Sequence, residues 1–271
     1  RADGTSVYVT QDIYLAQLKH KDFKYDKSIY VVASEQNYHF RVLFTILKKL
    51  KHKFADGCHH FSYGMVHLPE GKMKSREGTV VDADDLMLEM EDIAKGEIIK
   101  RYDDLEEQTI HDRSNMVGLA ALKFYLVVVD AVKDMTFHPE QSISFEGDTG
   151  PYLQYSHARA CSILKKAAEQ KVEIADDVDF SLLSTEHEIN LIKALFDYPD
   201  KTSDACENYR PHVIAQHLLH IARAFNEFYH ACPCLQKSKE LSEARLLLVD
   251  CSRQTIMNGL ALLGIKAPEE M

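Results

Sequence analysis

The spacing of hydrophobic residues changes character near Met135. Upstream, short apolar runs alternate with stretches of helical period. Ile29-Tyr30-Val31-Val32-Ala33 is a continuous apolar run of the kind found in strands covered on both faces. The segment 38–51 then carries Phe40, Leu43, Phe44, Leu47 and Leu50 at helical intervals, so a strand followed by a helix is predicted there. Thr5-Ser6-Val7-Tyr8-Val9 reads as a further strand, and Phe61-Ser62-Tyr63-Gly64-Met65-Val66 as another. A helix is predicted to start near Asp82, where acidic residues fall in the first turn and complement the helix dipole. This order predicts an open α/β sheet, in which ligands bind outside the carboxyl ends of the strands.

Segment 137–150 breaks the pattern with Pro139, Gly147 and Gly150, and marks the predicted domain boundary. Nearly everything beyond it has helical period: 151–170, 186–196, 202–209, 211–230 and 238–263. The expected fold class is therefore α/β followed by all-α, with one domain over 1–136 and a helical bundle over 137–271. In the first bundle helix, Leu153, Ala160, Leu164 and Ala167 share one face, while Tyr152, Tyr155, Arg159 and Lys166 form a second stripe. One face packs; the other offers the aromatic and guanidinium planes on which unpaired bases stack.

Charge and cysteine usage narrow the function classes. A formal net charge of −10 opposes nucleic-acid binding by the whole surface, so any such contact must come from local patches. Cys58, Cys161, Cys206, Cys232, Cys234 and Cys251 show no CxxC spacing, and reduced thiols are expected. Cys232-Pro233-Cys234 with His230 lacks the second ligand pair that tetrahedral zinc wants, so no metal site is expected. The longest apolar run, 124–129, is too short to span a bilayer and no signal-peptide pattern opens the chain; a cytoplasmic, membrane-free monomer is expected.

The segment Glu70-Gly71-Lys72-Met73-Lys74-Ser75-Arg76-Glu77-Gly78 places three cations within five residues of a glycine-flanked loop. Such a loop suits a polyphosphate, because cleavage of ATP between its α and β phosphates builds charge on the departing pyrophosphate. It is similar to the KMSKS signature loop of class I aminoacyl-tRNA synthetases, in the GKMKSREGTVVDADDL form of arginyl enzymes. Lys72 and Met73 match the first signature positions; Lys74, Ser75 and Arg76 depart from it. The resemblance implies ATP contacts from Lys72, Met73, Lys74 and Ser75, and catalytic charge stabilisation by Lys72, Lys74 and Arg76.

Other segments resemble the same family in the same order. Asp3-Gly4-Thr5-Ser6-Val7-Tyr8-Val9-Thr10-Gln11-Asp12 resembles its DGTxxYxTRD segment, which implies that Tyr8 and Asp12 read the arginine side chain. A carboxylate paired to a guanidinium through charge-assisted hydrogen bonds is the chemistry required. Ser34-Glu35-Gln36-Asn37-Tyr38-His39-Phe40, at the end of the buried strand, implies Gln36 near arginine and His39 near ATP. The run from Phe145 through Asp148-Thr149-Gly150-Pro151-Tyr152-Leu153-Gln154-Tyr155-Ser156-His157-Ala158-Arg159 resembles the NTGPYLQYAHAR motif that opens the DALR-type anticodon-binding domain. With Tyr209-Arg210-Pro211-His212 and the closing segment 263–271, it implies tRNA contacts at Tyr152, Gln154, Tyr155, His157, Arg159, Tyr209 and Met271.

The fold thus implied is the C-terminal part of a Rossmann-like class I catalytic domain followed by a helical anticodon-binding bundle. The implied activity is arginine–tRNA ligation, with ATP, Mg²⁺, arginine and tRNA(Arg) as ligands. No HxGH-type signature occurs in the chain, and in the family it precedes the segment beginning here, so an incomplete active site, inactive alone, is expected. Cysteinyl-tRNA synthetase, which shares the loop and a related helical domain, and a non-catalytic RNA-binding module are the alternatives.

Overall fold

The computed structural model describes residues 3–69, 82–102, 104–172, 174, 177–236 and 238–271. Its contacts divide the chain into a small unit, 1–67 with 131–136, and a larger one, 68–130 with 137–271.

The small unit opens with helix α1 (Tyr8–Phe23). The strand expected at 5–9 is not formed. Val7 is the extended residue preceding the helix, and its carbonyl accepts from the amides of Thr10 and Gln11, so this short β-prone run is spent on the first helical turn. The strand expected at 29–33 is β1 (Ser28–Ala33), and α2 (Asn37–Lys49) follows it through one 3₁₀ turn. Strand β2 (Cys58–Tyr63) lies parallel to β1 in the register Ser28 with Cys58 through Ala33 with Tyr63. A parallel pair needs a crossover of this length, and α2 supplies it. Phe40, Leu43 and Leu47 on one face of α2 pack with Ala16 and Ala55 into the unit's core. Strand β3 (Val66–His67) pairs in parallel with β4 (Met135–Thr136).

The larger unit contains α3 (Ala83–Ile99), α4 (Glu107–Val127), the single turn α5 (Pro139–Ser142), α6 (Gly150–Glu169), α7 (Glu186–Phe196), α8 (Tyr198–Glu207), α9 (Pro211–Ala231) and α10 (Lys239–Leu262). Asp82 caps α3 by accepting from the Asp84 amide, and Thr149 caps α6 by accepting from the Tyr152 amide. Thr185 and Glu188 form a reciprocal capping box at the start of α7. The main core joins Leu153 of α6, Leu218, Phe225 and Phe228 of α9, and Leu246, Val249, Ile256 and Leu260 of α10. Among the described residues no helix is long and apolar enough to cross a membrane.

Helices α3 and α4 cross closely at Gly118. A Cβ added there would lie 2.8 Å from the carbonyl carbon of Met90. Alanine ordinarily improves a helix interior by roughly 0.5–1 kcal/mol, so the sign of the change reports the crossing. Gly118→Ala is expected to destabilise the protein by about 1–3 kcal/mol through overpacking. A urea midpoint equal to or above that of the parent would show that the helices yield.

Candidate substrate pocket and RNA interface

Two clusters carry the candidate chemistry, and each lies within one unit. In the small unit, Gln36 and His39 stand where β1 ends and α2 begins, the place an α/β sheet offers a ligand. Tyr8 and Asp12 are four residues apart on α1 and therefore share a face. His39 Nε2 lies 2.7 Å from Asp12 Oδ2, which brings the expected arginine-reading carboxylate to the expected strand end. Both side chains are partly open, at 25% exposure for His39 and 35% for Asp12. Tyr8 is 72% exposed, and Gln36 is also exposed. Lys72, Met73, Lys74, Ser75 and Arg76 lie outside the described residues.

In the larger unit, α6 presents Tyr155 and Arg159 one turn apart. The Arg159 guanidinium stands 4.6 Å from the Tyr155 ring centre and 5.1 Å from that of Tyr229 on α9. Its Nη2 donates to the Tyr155 hydroxyl at 2.7 Å and its Nη1 to Asn226 Oδ1 at 2.6 Å. The result is a cluster of two phenols around a guanidinium beside a cavity of about 700 Å³, lined by Arg101, Tyr152, Tyr155, Asn226 and His230 among others. Planar groups of this kind bind unpaired bases by stacking and cation–π attraction.

Two expected tRNA contacts face inward instead. Gln154 and His157 are buried at 0% and 1% exposure. Gln154 Nε2 donates to the Lys266 carbonyl at 2.8 Å, and His157 Nδ1 donates to that of Pro268 at 2.8 Å. In this arrangement both side chains bind the C-terminal tail. Burial lowers the His157 pKa, and the Pro268 carbonyl offsets only part of that, so the ring is neutral near neutral pH. Met271 is half-buried; its carbonyl accepts from the Tyr102 hydroxyl at 2.6 Å, and its side chain packs on the core around Met90 and Phe137. Tyr209 adopts a left-handed backbone just past α8, half-buried.

Asn226, Tyr229, Arg101 and Tyr102 join the site without having been expected there. Asn226 and Tyr229 were detectable only as an i, i+3 pair on α9, and the stronger apolar signal of Phe225 and Phe228 hides them. Among the described residues no group of three or more His, Cys, Asp or Glu could hold a metal ion. Cys234 is buried, which pushes its thiol up to about 11, against the thiolate that zinc requires.

Residues 1–138 match the family model of the catalytic domain of tRNA synthetases class I (R), and residues 153–271 match that of the DALR anticodon binding domain. The chain thus combines part of a class I tRNA synthetase catalytic domain with a DALR anticodon-binding domain, a helix-rich combination. The arginine--tRNA ligase of Parabacteroides distasonis is 46% identical over 275 residues, covering all of this chain and 46% of that protein. That of Treponema pallidum subsp. pallidum is 44% identical, again over all of this chain and 47% of the relative. The Thermus thermophilus arginyl-tRNA synthetase structure superposes with a TM-score of 0.88 at 31% identity, over all of this chain and 50% of that one. The Plasmodium falciparum enzyme, 23% identical with a TM-score of 0.85, shares the fold. The chain belongs to the arginyl-tRNA synthetase family. It spans about half the length of the curated relatives it matches.

Proposed function

We propose that this chain forms part of an arginine–tRNA ligase, with 1–136 contributing to a Rossmann-like catalytic domain and 137–271 forming the anticodon-binding domain. The reaction joins the arginine carboxylate to the α-phosphate of ATP, releases pyrophosphate, and passes arginine from the adenylate to the terminal ribose of tRNA(Arg). No covalent enzyme intermediate is needed, so the protein contributes positioning and charge stabilisation. Lys72, Lys74 and Arg76 would neutralise pyrophosphate, with Met73, Ser75 and His39 also at the nucleotide. Mg²⁺ would enter as the counter-ion of the ATP phosphates. Tyr155, Arg159 and Met271 would meet the tRNA, with Tyr152 and Tyr209 beside them. Gln154 and His157 would act there by fixing the tail.

The observation that carries the arginine assignment is the Asp12–His39 pair. A planar nitrogen donor already sits on the Asp12 carboxylate at 2.7 Å, at a strand end and on the helix face that also bears Tyr8. A guanidinium is a planar donor of the same kind with a second parallel N–H, and would bind that carboxylate in place of the imidazole. In arginine-dependent ATP–pyrophosphate exchange by the polypeptide that carries this sequence with an HxGH signature, Asp12→Ala is expected to raise the arginine KM by about 10–100-fold. That range corresponds to roughly 1.5–3 kcal/mol for a hydrogen bond to a charged group. The ATP KM should stay within about twofold. Equal increases in both constants would take Asp12 out of the arginine pocket.

A further inference from the structure

We infer that Asn226 is the positioning residue of the RNA face, holding the Arg159 guanidinium beside the rings of Tyr155 and Tyr229 as a charged contact for an unpaired nucleobase; the inference rests on the RNA reading above. Asn226 projects from α9 towards α6 and uses both ends of its amide. Oδ1 accepts from Arg159 Nη1 at 2.6 Å. Nδ2 donates towards the Tyr152 hydroxyl at 2.9 Å, Ser156 Oγ at 3.1 Å and the Ala222 carbonyl at 2.9 Å. One small side chain therefore fixes the direction of Arg159 and the phenol of Tyr152 together. Aspartate could accept but not donate, and leucine could do neither.

The neutrality of this partner matters as much as its shape. The other arginines of α6, α9 and α10 are each neutralised: Arg223 by Asp148, Arg245 by Glu188 and Arg253 by Asp250. Among the described residues no carboxylate lies within ion-pair distance of Arg159, whose guanidinium is held by an amide and a phenol. No paired carboxylate therefore offsets its field at this point. The nearby cavity also bears Glu97, Glu140 and Glu146, which repel phosphate and can accept from exocyclic amino groups. Alongside Arg101 and Arg159, these carboxylates give the wall both acceptors and cations for the edges of a base.

The test is a double-mutant cycle in the polypeptide that carries this sequence with an HxGH signature, titrated with tRNA(Arg) transcript at several KCl concentrations. Asn226→Ala is expected to weaken binding about tenfold, the scale of one base–aromatic contact, and the isosteric Asn226→Asp to weaken it at least as much. Asn226→Ala should leave the slope of log Kd against log salt unchanged, because no phosphate contact is lost. Adding Asn226→Ala to Arg159→Ala should cost clearly less than Asn226→Ala costs alone, the remainder being the loosened Tyr152 phenol. Additive losses, or unchanged binding by a folded Asn226→Asp variant, would overturn the positioning role while leaving the RNA reading intact. A parent chain that binds no tRNA even at low salt would sink both.

Discussion

Replacing Arg245 with alanine should destabilise the larger unit by about 3–5 kcal/mol, because it strands a charge inside the protein. Glu188 and Arg245 have side-chain exposures of 0% and 7%. Arg245 Nε donates to Glu188 Oε1 at 2.7 Å and Nη1 to the Pro233 carbonyl at 2.9 Å. Glu188 Oε2 accepts from the Thr185 amide and hydroxyl, each at 2.8 Å. The pair thus ties α7, α10 and the 232–236 loop together, and both carboxylate oxygens accept hydrogen bonds. Burial by itself would raise the Glu188 pKa, but the Thr185 amide and the Arg245 guanidinium together hold it below the usual carboxylate value. The native state therefore binds its proton less tightly than the unfolded chain does. The stabilisation is complete above about pH 4.5, the ordinary value for this group, and is lost as pH falls through the lower native pKa. Urea denaturation at pH 7 and pH 4 measures both effects. A loss below about 1 kcal/mol on Arg245→Ala would mean that water reaches Glu188. Glu188→Leu with Arg245→Met should recover most of the loss, since the pair's worth lies in not being broken singly.

Ending the chain at Leu263 should cost both stability and RNA binding. The tail beyond it is held by Lys123 to the Gly264 carbonyl at 2.6 Å, Gln154 to Lys266, His157 to Pro268 and Tyr102 to Met271. Ile265 is buried at 4% exposure. Exposing it loses about 1.5–3 kcal/mol, and each forfeited hydrogen bond about 0.5–1.5 kcal/mol. Gln154 is the sensitive point: its Oε1 is already buried without a partner, so among the described residues its side chain bonds the protein through the tail alone. The truncated chain should melt several degrees lower and bind tRNA at least about tenfold more weakly, although Tyr155 and Arg159 are untouched. An unchanged melting point would show that the tail merely rests on the surface.

Much of this arrangement was legible in the residues, for identifiable reasons. The strand at 28–33 and the helix at 37–49 announce themselves because the run is uninterrupted and the period that follows is clean. Thr149 and Pro151 mark the start of α6 because capping chemistry is local. At 5–9 the reading failed, since five β-prone residues cannot signal that the next turn belongs to a helix. At α8 the pattern placed the start at 202, whereas the helix begins at Tyr198 with Pro199 in its first turn, where proline is tolerated. The inward turn of Gln154 and His157 was invisible because their partners are backbone carbonyls more than 100 residues downstream. Motif resemblance could mark those two residues as important, but only the tail's path shows what they touch.

The closure of the small unit by 131–136 has a consequence during synthesis. Gly64 donates to the Ala131 carbonyl at 2.7 Å, and the Met65 amide to Asp134 Oδ1, a partner 69 positions later. At about 5–20 residues per second, a ribosome takes roughly 3–14 s to travel between those two positions. Throughout that interval the nascent polypeptide has made β3 but not the strand that pairs with it, and those backbone groups stay open to foreign partners. Translational pausing after β3 has emerged and before 131–136 emerges would lengthen this exposure, whereas pausing after 131–136 has left the ribosome leaves it unchanged.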